Sequence, residues 1–143
     1  MKAVLMATLT LFASVTIAPF ARAENPTQVR QLLATGACPG CNLAGANLSQ
    51  AHLIGADLRG ANLQGATLVN TNLEGADLTG ANLRGADLTG AFVTNATLDS
   101  ANLTGANLAN ARMVNASTAG AILTNIDISG AQIYGSGISI GGD

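Results

Sequence analysis

Charge is scarce in this chain, and aromatic side chains are scarcer. Charged residues make up 10% of 143 and aromatics 3%, with no tryptophan. Lysine and arginine form no basic patch, so nucleic-acid binding has no electrostatic footing. His52 is the only histidine. One histidine on a regular scaffold gives no arguable Ser/His/Asp arrangement. A structural zinc site needs about four ligands, and two cysteines with His52 fall short. Glycines are spaced periodically and not gathered into a phosphate-cradling loop. Beyond residue 23 no apolar run approaches the roughly 20 residues of a membrane span. No enzyme activity, cofactor or metal is expected.

What the chain has is a period. From Cys41 to Ile140 it reads in fives without an insertion, giving twenty pentads. The third residue is apolar in all but one: ten leucines run from Leu43 to Leu88, then Val93, Leu98, Leu103, Leu108 and Met113, and after the exception, Thr118, Leu123, Ile128, Ile133 and Ile138. The first residue is Ala in sixteen pentads, and the fifth is Gly in twelve and Asn in five. A helix turns about 100° per residue, so this spacing would scatter the leucines over every face. A continuous strand alternates faces, so an odd period would send successive leucines to opposite sides. Turning a corner once per pentad keeps them all inside. Gly and Asn at the fifth place suit such a corner. The first and third residues then point inward and the other three face water.

The pattern Ala-(Asp/Asn)-Leu-x-Gly, as in Ala76-Asp77-Leu78-Thr79-Gly80, resembles the pentapeptide repeat family. The resemblance covers 100 of 143 residues. It implies an all-β fold, a right-handed quadrilateral β-helix with four pentads per coil. About five coils would stack as a solenoid behind a short N-terminal capping helix. A stack of that kind draws its stability from neighbouring coils, and its two open ends need covering.

The flanks divide the chain into residues 1–23, 24–40, 41–140 and 141–143. Lys2, the apolar run Ala3–Ala18 and Ala21-Arg22-Ala23 read as a secretory signal peptide cleaved after Ala23. A retained membrane anchor is the competing reading. Without that segment four arginines oppose eight acids, a net charge of −4. Asn25 to Gly36 reads as a helix: Asn25 caps it, Pro26 fits its first turn and Gly36 ends it. Val29, Leu32 and Leu33 share a face at helical spacing. The helix either covers the first coil or receives a partner. For Cys38-Pro39-Gly40-Cys41, export permits a disulfide bracing the cap. A redox pair is the alternative, although it calls for a stabilised thiolate. The stretch from Leu32 to Leu43 is also similar to the lead-in of exported cyanobacterial members of the family, which implies the periplasm or thylakoid lumen. Past Gly120 the pattern loosens; bulky Ile122, Ile126 and Ile140 either close the end or form a homodimer contact through the C-terminal coil.

A coil of twenty residues sorts the surface into columns. One side carries His52, Ile54, Phe92, Arg112, Val114 and Tyr134; its neighbour carries Asp57, Asp77, Asp99, Arg59 and Thr79. Exposed apolar and aromatic residues beside an arginine mark contacts with proteins, and the first side is the candidate partner face. Paired carboxylates for hydrolysis need a cleft, which a convex rod does not supply. The expectation is therefore an exported, non-enzymatic protein-interaction scaffold with a protein partner, no nucleic acid and no membrane span. Two alternatives stand beside it: an acidic, DNA-mimicking regulator of a topoisomerase, and a redox protein built on Cys38 and Cys41.

Overall fold

The computed structural model describes residues 25–139. The signal peptide expected over 1–23 and the tail at 141–143 lie outside the described residues, as does Ile140.

Helix α1 spans Pro26–Thr35. The Asn25 side chain accepts from the backbone N–H groups of Thr27 and Gln28, at 3.2 and 3.3 Å, and Pro26 opens the first turn, where no backbone donor is needed. Gly36 closes the helix in the left-handed region at φ 68, donating its N–H to the Leu32 carbonyl at 2.8 Å. Leu32 is fully buried and Val29 packs against the core, but Leu33 is exposed.

After α1 the chain winds into coils. Every parallel bridge joins residue i to residue i+20, from Ala37–Asp57 to Arg112–Gln132. Four pentads therefore complete one coil. Three hydrogen bonds recur at each pentad. The third residue donates to the second-residue carbonyl one coil on, as Leu83 to Asn102 at 2.8 Å; the fifth donates to the fourth-residue carbonyl, as Gly85 to Thr104 at 3.0 Å. The second residue donates back to the first-residue carbonyl of the preceding coil, as Asn82 to Ala61 at 2.9 Å. Within the chain, Ala86 donates to the Leu83 carbonyl at 3.0 Å, closing the turn.

The expected all-β class does not hold, and neither do the terms β-helix and solenoid of strands. Among the described residues there is no β-strand; pairing is confined to isolated single-residue bridges, and α1 is the only regular element. The pentad itself explains this. One residue bridges, and then the fourth and fifth form a turn. The fifth residue takes a positive φ, 61 at Gly85 and 56 at Asn95, so the backbone leaves the extended region before a second consecutive pair can form. Gln50 and Ser100 adopt the same conformation at φ 60 and 58. Gly90 meets a further demand: the Asn70 amide, one coil back, occupies the space a Cβ there would need.

The core is the axis of the stack. Inward third-position side chains from Leu43 to Met113 are at most 2% exposed, and most first-position alanines are as well buried. Burying one such Leu contributes about 1.5–3 kcal/mol. Thr71 replaces Ala inside and donates its hydroxyl to the Leu48 carbonyl at 2.7 Å.

The winding begins earlier than Cys41. Gly36-Ala37-Cys38-Pro39-Gly40 forms a pentad in register: Ala37 bridges Asp57, Cys38 is buried at the leucine position and Gly40 turns at φ 66. At the other end the last bridge lies at Gln132, so residues 36–135 make the five coils.

Candidate interaction face

Outward residues follow a second rule on most of the surface. A second-position Asn or Asp accepts from the N–H two residues on, as Asp77 from Thr79 at 3.0 Å and Asn102 from Thr104 at 3.0 Å. These Asx turns hold the corner and occupy the side chain. Asn42, Asn62 and Asn82 also form a ladder: the Asn82 amide donates to Asn62 and the Asn62 amide to Asn42, each at 3.1 Å.

The column through His52, Asn72, Phe92, Arg112 and Gln132 departs from this rule. Only Asn72 makes an Asx turn there, accepting from Glu74 N–H at 3.0 Å. His52 is exposed. The Arg112 guanidinium lies 5.8 Å from the centroid of the Phe92 ring, within range of a cation–π contact. Phe92 remains 38% exposed. Beside this column Ile54 is 62% exposed and Tyr134 82%, with Val114 half-buried between them in height. The six sequence-predicted residues thus share one side, with His52 and Ile54 on the first coil and Tyr134 on the last.

The neighbouring side is acidic but not free. Arg59 pairs with Asp57 at 2.6 Å and reaches Asp77 at 3.8 Å. Hydrogen bonding from Arg59 holds the Asp57 carboxyl below the usual carboxylate range, and the same contact raises Arg59. Thr97 and Ser117 continue that column, and Asp99 beside them accepts from the Ser117 hydroxyl and the Ala119 N–H. On another side, the Ser129 hydroxyl donates to Asp127 at 2.6 Å and lowers its carboxyl.

Cys38 and Cys41 are joined by a disulfide. Cys38 is fully buried and Cys41 is 6% exposed, at third and first positions of adjacent pentads. Cys38 Sγ also lies 3.5 Å from the Gln28 carbonyl of α1. A shallow groove runs between residues 115–120 and 135–137, where the Thr118 hydroxyl donates to the Ser136 carbonyl at 2.6 Å. Sequence reasoning missed this latch, the asparagine ladder and the Gly36–Gly40 pentad. The signal for the pentad was present: Cys38 and Gly40 stand five residues before Leu43 and Gly45.

Among the described residues no group of three or more His, Cys, Asp or Glu is placed to hold a metal ion, and no helix is long and apolar enough to cross a membrane. Stacked corners, a packed axis and side chains presented in columns define a repeat protein that offers surfaces, not a cleft. A profile described as Pentapeptide repeats matches residues 41–80, 76–113 and 101–136, and the chain belongs to that family. Members of that family are non-catalytic, protein-interacting proteins. Among solved structures, it is similar to HetL of Nostoc sp. strain PCC 7120, a pentapeptide repeat protein involved in heterocyst differentiation regulation. Identity is 32% over 70% of this chain and 50% of HetL, with a TM-score of 0.44, so the match spans half the length of that relative. A second Nostoc PCC 7120 pentapeptide repeat protein, alr5209, matches at 29% identity over 76% of this chain and 94% of that one, with a TM-score of 0.53. A pentapeptide repeat protein from the Arabidopsis thaliana thylakoid lumen matches at 30% identity over 71% and 64%, with a TM-score of 0.35. No protein of curated function matches.

Proposed function

We propose that this chain is an exported protein-interaction scaffold that presents the Ile54–Tyr134 side of its stack to a protein partner. The observation that carries the reading is the Arg112–Phe92 stack, flanked by Ile54 and Tyr134 on the side where Asn72 makes the one Asx turn. Phe, Tyr and Arg are the residues that interfaces enrich. Arg112 has no ion pair among the described residues, so the partner supplies a carboxylate opposite it, beside an apolar pocket for Phe92. Export is supported by the residue pattern of 1–23 and by the buried disulfide, which an oxidising compartment such as the periplasm or thylakoid lumen preserves.

The competing DNA-mimic reading would need a continuous row of free charge, and Arg59 sits between Asp57 and Asp77, Thr97 and Ser117 extend the bridge column uncharged, and Asp99 beside them is bonded to Ser117 and Ala119. A redox role would need an accessible sulfur, and both are buried.

The test uses Phe92→Ser combined with Tyr134→Ser. Both side chains lie outside the packed axis, so the double variant is expected to keep the melting transition and to lose the partner that wild type recovers from its native compartment. Recovery of the same partner at wild-type yield by the folded variant rules this side out.

A further inference from the structure

The partner-facing side has a property that the other three sides lack: its charges complement a second copy of itself. On the three middle coils it presents Asn72 and Glu74, then Phe92 and Thr94, then Arg112 and Val114. Glu74 and Arg112 are exposed, and neither makes an ion pair among the described residues. They stand one coil before and one coil after Phe92, so about 9.6 Å of stack separates them at about 4.8 Å per coil.

Two such sides can meet with their stacks parallel or antiparallel. In the parallel arrangement each coil meets its own equivalent. Arg112 then shares a level with Arg112 and Glu74 with Glu74, and like charges face each other. In the antiparallel arrangement a two-fold axis runs through the middle coil, and the coil before meets the coil after. Each Arg112 then lies over the partner copy's Asn72. The partner copy's Glu74 stands two residues further along that coil, about 6.6 Å away, within the reach of an arginine side chain. Phe92 sits at the axis against its own equivalent, and Ile54 comes to the level of Tyr134, the two most exposed apolar or aromatic residues of that side.

The same operation fails on the other sides. Their middle coils carry Asp77, Arg84 and Asp87, none of them buried, and each would meet its own charge at the axis. Only the side through Phe92 has an uncharged middle coil with opposite charges one coil away in each direction. Resting on the reading of this side as the partner face, we infer that its occupant is a second copy of this chain, antiparallel about Phe92, with each Arg112 paired to the partner copy's Glu74. The contact is isologous and therefore closes at two copies. A side of five coils is about 24 Å tall, at the small end of specific interfaces, so the dimer is reversible and its charged contacts weaken with salt.

The test is sedimentation of the purified chain across a concentration series. Wild type is expected to move between monomer and dimer mass and to stop at dimer. Glu74→Arg and Arg112→Glu change outward residues and set like charges against each other; each is expected to raise the dissociation constant about tenfold or more. Combining them restores opposite charges across the axis and is expected to bring the constant back to within about threefold of wild type. Should a swap lose the melting transition, Phe92→Ser is measured in its place, with the same loss of dimer expected. Wild type that stays monomeric throughout overturns the proposal, as does a dimer that no folded variant weakens. Single swaps that dissociate the dimer without recovery in the combination overturn the antiparallel register. The scaffold reading is judged apart from this: a monomeric wild type that recovers a different protein from its native compartment, and loses it with Phe92→Ser and Tyr134→Ser, keeps that reading and sinks the second copy as occupant.

Discussion

At the N-terminal end, Leu43, Leu48 and Leu53 are at most 2% exposed, with α1 seated on the coil and a disulfide beneath it. At the C-terminal end, Leu123, Ile128 and Ile133 occupy the same place in their pentads and are only half-buried. Among the described residues the N–H groups of Leu123, Ile128 and Ile133 have no backbone partner. Identical pentad chemistry gives a fully buried end and, among the described residues, a half-buried one, so burial is not a property of the repeat alone. Burial at the N-terminal end comes from residues outside the period, Asn25 and Leu32 of α1. A coil stabilises its neighbour and is stabilised in return; the terminal coil receives only half of that.

One column allows the comparison to be measured residue for residue. Leu43, Leu83 and Leu123 lie on the same side in the first, third and last coils. Leu83→Ala is expected to give the largest loss, about 2–5 kcal/mol, because the cavity is walled on every side. Leu43→Ala should fall in the lower part of that range, and Leu123→Ala below it, about 1 kcal/mol, since its site is already half open. Denaturant melts of the three variants check the order. Equal losses at Leu43 and Leu123 would show that α1 does not close its end.

The next effect is expected from reduction of Cys38–Cys41. Protection against hydrogen exchange should fall at α1 and the first coil while the coils around Leu83 keep theirs; loss spread evenly along the stack would contradict a local brace. Arg84→Ala, outward from the same column, should change stability by no more than about 0.5 kcal/mol.

Smallest of all is the response to acid. Asp57 and Asp127 have folded pKa values held below their ordinary ones by Arg59 and Ser129. Depressed carboxylates favour the folded chain above their unfolded pKa, and that contribution disappears as pH falls through the folded value. Both sites are open to solvent, so the expected fall in melting temperature below about pH 4 is slight. Asp57→Asn should make it slighter still.

These contrasts also mark what the sequence could reveal. Inward and outward positions were legible because a period of five admits few geometries, and the glycine and asparagine corners were legible because so few residues tolerate a positive φ. Helix α1 announced itself through Asn25, Pro26 and Gly36. The absence of strands was not legible from the family likeness, which names a shape; it follows from counting how many residues stay extended between corners. The pentad at Gly36 was hidden because Cys38 stands where the eye expects leucine. Arg59's grip on two carboxylates depends on side chains a full coil apart, which no local window joins. The partner-facing column could be assembled by arithmetic alone, yet the Arg112–Phe92 stack required coordinates.

The bridge register of twenty has a bearing on how such a chain can lengthen or shorten by mutation. Deleting one pentad leaves every leucine pointing inward and every corner at a tolerant residue, so the fold survives. Each residue beyond the deletion, however, rotates by a quarter of a coil, and Phe92 would no longer lie over Arg112's side if the cut fell between them. Only indels of four pentads keep the columns aligned. Selection on folding alone would accept steps of five, whereas selection on a surface that spans several coils would accept steps of twenty. Length variation among natural copies of this chain can therefore report whether a side is in use.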